Sequence, residues 1–477
     1  MYELSDSIDY QARLICNPIR QSVNPFIPPI RQSANPIIRQ SVYSANPLYF
    51  ATMLFEKSPW VLRTNIYEVN LRQYTEAGTF AAFREHMPRL KDMGVHILWF
   101  MPITPISKWK RKGTMGSYYA SADYLTINPE FGTLQEFREL VMYAHELGMK
   151  LIIDWVANHT GADHSWTTSN PDYFIRNDEG QFYDKHGWDD VIDLDYTHAG
   201  MRIEMIRCME FWVRECNIDG FRCDMAMLVP LDFWVEARAY LDKGKKLFWL
   251  AECDQWNDPD YLRVFDAAYT WKWMHAAHEY LLHHKPIGTL KDILHGYQLL
   301  QPGDSLKAWF TSNHDENSWN GTEYEKYGGL AVPLAVFSCL WNGIPLLYSG
   351  QELPNHKRLA FFEKDAIEWT HKPKLHELYR TLLTLRFEHQ ALIAGSAGGS
   401  TEYLNTDHAD KVFAFVRKLG SSEVVVMLNF SEWPLDVKLY NNMDLAGYTE
   451  IFSVQTLSSS FPYTVLLPGW GFAVWAK

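Results

Sequence analysis

Eight short apolar runs alternate with amphipathic ones from residue 65 to about residue 391. No other feature of the chain restricts its fold as much. The runs are "NIYEVNLRQY", "VHILWFMP", "KLIIDWV", "GFRCD", "LFWLAEC", "AAYTWK", "KAWFTSN" and "PLLYSG". Helix-like stretches lie between most of them, among them "TFAAFREHMPRLKDMG", residues 198–217, "LDFWVEARAYLD" and "LAVPLAVFSCLWNG", with a last one over 374–391. The first is closed by Gly94. Another, "TLQEFRELVMYAHELG", opens on a capping-box pattern, Thr133 to Glu136, and ends at Gly148. Apolar strands joined by helical crossovers make a parallel sheet covered on both faces. Eight such units predict an α/β fold of the closed (β/α)8 kind rather than an open doubly wound sheet.

Three regions break this rhythm. Residues 158–197, after the third strand, are loop-rich and read as a short inserted domain. After residue 398 come "KVFAFVRKL", "SEVVVMLNFS", "TVLLP" and "GFAVWA", short strands between turns, which predict an antiparallel β-sandwich. Near the N-terminus "IRQS" recurs at 19, 30 and 38, each time close to "NP", with no structural period. Residues 1–52 are therefore expected to be a disordered, low-complexity arm, a start at Met53 being the alternative to a functional arm. The expected division is 1–52 arm, 53–397 barrel including the insert 158–197, and 398–477 sandwich.

Composition narrows the partners. Net charge is −13, and the one basic block, "KWKRK" at 108–112, reads as a solvated loop, so nucleic acid is not expected. The 19 Trp and 26 Tyr fill cores, and they also suit a cleft for ligands with flat apolar faces, such as sugar rings. Six Cys form no CxxC pair and read as buried free thiols. No stretch is long and apolar enough to span a bilayer, and "MYELSDSIDYQARLIC" lacks a secretion pattern, so a cytoplasmic protein is expected.

In a barrel of this kind function gathers at the C-terminal strand ends. The third strand ends at Asp154, the fourth at Arg222 and Asp224, the fifth at Glu252 and the seventh at His314 and Asp315. A single strand-end carboxylate is commonly a cap or a surface ion pair. Four on one rim repel one another, which a fold tolerates most readily where the charge is used. Two carboxyls flanking a bond, one ionised and one protonated, suit cleavage of a glycosidic bond. Arg222, two residues from Asp224 on the same strand face, would keep that carboxylate ionised as a nucleophile. Glu252, in an apolar strand near Trp249, would have the raised pKa of a general acid.

These residues resemble the α-amylase family of glycoside hydrolases (family 13). The resemblance covers about 60–477 and is carried by "DWVANH" at 154–159, "GFRCDMAML" at 220–228, "AECD" at 251–254 and "TSNHDE" at 311–316, with "GSYYASADY" at 116–124 and "GIPLLYSGQE" at 343–352. It implies that Asp224 is the nucleophile, Glu252 the acid/base and Asp315 the carboxylate that grips and distorts the sugar. It further implies that Arg222 supports the nucleophile, that His159 and His314 bond sugar hydroxyls, and that Asp154 pairs with Arg222. Tyr119 would stack under the sugar, with Tyr118 competing for that role. A structural Ca²⁺ is implied at Asn158 and Asp193, ligands whose oxygens suit that ion. The second motif departs from the family's usual Lys-His ending by carrying Met227 and Leu228, which weakens both the calcium and any ordinary long-chain specificity. The implied activity is retaining hydrolysis of α-1,4 bonds in starch or maltodextrins. The alternatives are an α-glucan transglycosylase on the same site and a non-catalytic carbohydrate-binding relative, against which the three intact carboxylates argue.

Overall fold

The computed structural model describes residues 55–299, 305–440, 445, 447–452 and 464–477. The arm expected over 1–52, and Cys16 within it, lie outside these residues.

The chain opens with β1 (Ile66–Val69), β2 (Ile97–Phe100) and β3 (Lys150–Trp155). An antiparallel pair follows in the insert, β4 (His159–Gly161) and β5 (Val191–Asp193). Then come β6 (Gly220–Cys223), β7 (Phe248–Asp254), β8 (Ala267–Tyr269), β9 (Leu306–Trp309) and β10 (Ile344–Tyr348). The eight strands outside the insert close into a barrel in the order β1-β10-β9-β8-β7-β6-β3-β2, and every pair is parallel. They are the eight apolar runs of the sequence. They are mostly apolar on both faces because side chains fill the barrel on one side and meet helices on the other. Gly220 begins β6 where the backbone of β7 comes close. A Cβ there would lie 2.0 Å from the Phe248 carbonyl oxygen.

The helix Leu134–Glu146 carries the capping box its sequence predicts, with Thr133 and Glu136 each satisfying the other's backbone N–H. The stretch from Phe80 differs from expectation. It forms two short helices, Phe80–Arg84 and Met87–Asp92. Pro88 lacks an N–H and can sit only in a first turn, so a new helix starts there.

After the barrel come β11 (Ser400–Tyr403), β12 (Val412–Leu419), β13 (Ser422–Asn429), β14 (Leu435–Lys438), β15 (Thr449–Glu450), β16 (Thr464–Leu467) and β17 (Phe472–Ala476). Five of them form an antiparallel sheet in the order β11-β12-β13-β17-β15, and β14 pairs with β16. Val416, Val425 and Met427 pack against Val437, Leu439 and Leu467 between the two sheets. The opposite face, with Phe413, Phe415, Val426 and Leu428, joins the core of the barrel. That second buried face explains why β12 and β13 show no alternation of polar and apolar residues.

Among the described residues, no helix is long and apolar enough to cross a membrane. Five free cysteines (208, 216, 223, 253 and 339) are all buried. The basic stretch at 108–112 is only partly solvated. Trp109 is exposed, but Arg111 donates to the carbonyls of Ser107 and Ile106, and Lys112 ion-pairs with Asp189 and Asp190.

Candidate active site

Four strand ends converge at the C-terminal mouth of the barrel. The register sets Asp154 of β3 beside Arg222 of β6. The Arg222 guanidinium is wholly buried. Its Nη1 donates to Asp154 at 2.9 Å and to Asp224 at 2.7 Å, and its Nη2 lies 2.7 Å from Glu252 Oε2. The rings of Trp99, Tyr119 and Tyr269 surround it at 5.0–5.8 Å. One cation thus faces three carboxyls. Two charges go uncompensated, so the group cannot hold all three ionised without cost.

The titrations follow. Burial pushes Asp224 up to about 6, against the pull of Arg222 and with repulsion from Asp154. Burial likewise raises Asp154 to about 6. Glu252 is pushed further, to about 7, by burial and by the nearby Asp224 and Asp315. The expected neighbour of Glu252, Trp249, takes no part. Its indole donates to Asp242, between the barrel and a helix. The register between β7 and β8 shifts between Ala251 and Asp254, and such a bulge re-aims side chains. Glu252 lies within it. Met225, directly after Asp224, adopts φ 40°, a strained value for a residue with a side chain. Its N–H donates to Glu252 Oε2 at 2.7 Å, joining the ends of β6 and β7.

Across the mouth, β9 is followed by His314 and Asp315, and a π-helical turn spans Glu316–Asn320. His314 bonds Glu68 through Nδ1, and its Nε2 lies 3.2 Å from Asp315 Oδ2 and 2.7 Å from the Tyr119 hydroxyl. Burial opposes charge on this ring, but Asp315 and Glu68 raise its pKa well above the usual value, so it is an imidazolium. Asp315, whose side chain is partly exposed, is held below the ordinary carboxylate range by His314 and Arg222. The carboxylates therefore differ. Asp315 stays ionised, Asp224 titrates near 6 and Glu252 near 7.

Asp224, Glu252, Asp315, Tyr119 and His159 line one cavity of about 160 Å³. Burial lowers His159 to about 4, leaving it neutral. Tyr119 stacks on His314 at 5.3 Å with its face towards Phe361. Tyr118 is buried behind it, bonded to Asn70 and covered by Arg72. Asp154, Arg222 and His314 are buried behind the cavity wall rather than lining it. Glu68, from β1, is the residue that reading the sequence missed. A lone Glu in a strand looks like a solvent-facing position, and only barrel closure sets it against His314.

Asn158 and Asp193 also meet. Asn158 Nδ2 lies 3.4 Å from Asp193 Oδ1. Burial and the adjoining Asp184 push Asp193 up to about 7, and Asp184 Oδ2 is buried without a hydrogen-bond partner. Among the described residues, no three His, Cys, Asp or Glu cluster as metal ligands. Two crowded carboxyls and an amide oxygen nevertheless fit a hard, oxygen-binding cation.

The family profile described as "Alpha amylase, catalytic domain" matches residues 64–178 and 173–382. Alpha-amylase MalA of Haloarcula japonica is 25% identical over 401 residues, which are 81% of this chain and 58% of that protein. The chain thus spans less than two thirds of this relative. Two solved structures are similar over nearly their whole length. An alpha-amylase from Lactobacillus plantarum matches at 29% identity and TM-score 0.79, covering 88% of this chain and 100% of its own. A noncanonic maltogenic alpha-amylase, AmyB from Thermotoga neapolitana, matches at 28% identity and TM-score 0.79, covering 87% of this chain and 99% of its own.

Proposed function

The chain belongs to the alpha-amylase family, and on that premise we propose that it is a retaining glycosidase acting on α-1,4-glucosidic bonds of starch or maltodextrins. One observation carries the reading. Asp224 Oδ1 and Glu252 Oε2 lie 2.7 Å from the two ends of a single guanidinium, beside an ionised Asp315. Carboxyls that close suit double displacement, whose pair stands about 5–5.5 Å apart, rather than the about 6.5–9.5 Å of inversion.

Asp224 attacks the anomeric carbon while Glu252 gives its proton to the glycosidic oxygen. The leaving sugar departs with that proton, and a glycosyl ester forms on Asp224. Glu252, now ionised, takes a proton from water, whose oxygen attacks the same carbon and releases Asp224. Arg222 holds both carboxyls in register. Tyr119 supplies a ring face for the sugar, and neutral His159 and ionised Asp315 bond its hydroxyls. A structural Ca²⁺ belongs to the same proposal. Asn158, Asp193 and Asp184 would hold it, and it would offset the repulsion between the two carboxyls. The buried free thiols support a cytoplasmic location and the use of maltodextrins there.

The test is product analysis on a maltooligosaccharide series, with the anomer formed first read by NMR. The α anomer is expected. The β anomer would overturn double displacement, and absence of turnover would overturn the enzyme itself. Apolar Met227 and Leu228, just past the nucleophile, favour a second reading, transfer to a sugar acceptor. Measuring longer products against free glucose separates the two.

A further inference from the structure

The basic stretch at 108–112 takes part in a wall around the cavity. Lys112 Nζ, from the loop after β2, lies 2.8 Å from Asp189 and 3.0 Å from Asp190 of the insert after β3. Asp190 is almost wholly buried, so this pair lies at the cavity wall, which Lys112 and Asp190 both line. The same loop is sewn to the loop after β10. Thr114 N–H donates to Glu363 Oε1 at 2.9 Å, and Met115 N–H donates to the Phe362 carbonyl at 3.0 Å. Gly113, at φ +61°, makes this seam possible, since a Cβ there would lie 2.6 Å from that of Phe362. The loop after β10 is tied in turn to the segment after β9. Leu359 N–H donates to Asn317 at 2.8 Å, Ser318 donates to the Leu359 carbonyl at 2.8 Å, and Trp319 packs on Phe361 at 5.3 Å. The loops after the second, third, seventh and eighth barrel strands thus form one continuous fence.

The other side of the cavity belongs to the fourth and fifth strands, through Met225 and Glu252. Chemistry orients a substrate between the two sides. The sugar that becomes bonded to Asp224 stays with Tyr119, His159 and Asp315. The leaving group must sit on the side of the acid that protonates it. The fenced side therefore faces the sugar being transferred, away from the scissile bond. A cavity of about 160 Å³ is well below the roughly 300–1,000 Å³ of sites for drug-sized ligands. It has room for one ring.

We infer that this fence, held by Lys112 with Asp189 and Asp190, makes a blind pocket for a single terminal glucosyl unit, so that the substrates are short α-glucans attacked from their non-reducing ends and not within the chain. The inference rests on the glycosidase reading above. The unmodified full-length enzyme is given maltoheptaose, p-nitrophenyl α-maltoheptaoside, and the same heptaoside with an acetal across the last two hydroxyls of its non-reducing sugar. Glucose and maltohexaose should appear first and in equal amounts from maltoheptaose. The capped heptaoside should react about 100-fold or more slowly than the uncapped one, a discrimination within reach of a steric barrier. Equal rates on capped and uncapped substrates, or early maltose to maltopentaose, would overturn the blind pocket while leaving the glycosidase intact. No turnover of any substrate would instead overturn the glycosidase reading beneath it. Lys112→Ala and Asp190→Asn each open the wall from one side, and each should raise the capped-to-uncapped rate ratio about tenfold. A ratio unchanged in both folded variants would remove these residues from the specificity.

Discussion

Arg222 sets how the carboxyls around it share protons. With Asp224 pushed up to about 6 and Glu252 to about 7, the state that the proposed mechanism needs, Asp224 ionised and Glu252 protonated, is most populated between those values. The rate should be bell-shaped in pH. Its acid limb comes from protonation of Asp224, and its alkaline limb from loss of the Glu252 proton. Glu252→Gln should abolish the alkaline limb and hurt substrates with good leaving groups least, since these need little protonation. An unchanged limb, or an equal loss for all leaving groups, would reassign the acid. Asp224→Asn should lower kcat by several orders of magnitude at an unchanged melting temperature, because an amide cannot form the glycosyl ester. Near-normal turnover would point to another nucleophile. The charged residues at the strand ends were legible because charge is rare in buried strands. Glu68 was not, because its partner lies 246 residues away and pairs with it only through barrel closure.

At the scale of elements, the eight barrel strands could be read from the sequence, since each is a short apolar run between helical patterns. Boundaries set by one residue could not. Pro88 splits a helix whose apolar period runs on through it. The bulge in β7, which takes in Glu252, leaves no mark in the sequence. The insert tests the calcium proposal. If Asp184, Asp193 and Asn158 hold Ca²⁺, chelation should lower the melting temperature, and added Ca²⁺ should restore it in a concentration-dependent way. Asp193→Asn should weaken that response. A melting temperature indifferent to chelator would mean that the two carboxyls share a proton instead, as the rise of Asp193 to about 7 allows.

In the molecule as a whole, the C-terminal sheet completes the barrel. Phe413 and Phe415 meet Phe337 and Trp341 with ring centres 4.8–6.4 Å apart, and Phe413 also reaches Trp273. Ending the chain at 397 would expose this aromatic surface. The shortened protein should be largely insoluble or melt many degrees lower, although all the carboxyls of the cavity precede the cut. A soluble, fully active fragment would show that the sheet is dispensable. The sequence foretold this sheet as a separate sandwich. It could not tell which of its faces the barrel covers, because both are apolar. The fence that runs from the loop after β2 to the segment after β9 also bears on how a long substrate is consumed. With a single door, the freed glucose can leave only after the shortened chain has stepped away from it. Each cut then ends an encounter, and the enzyme cannot work processively. Chains of every intermediate length should accumulate in turn, the longest first.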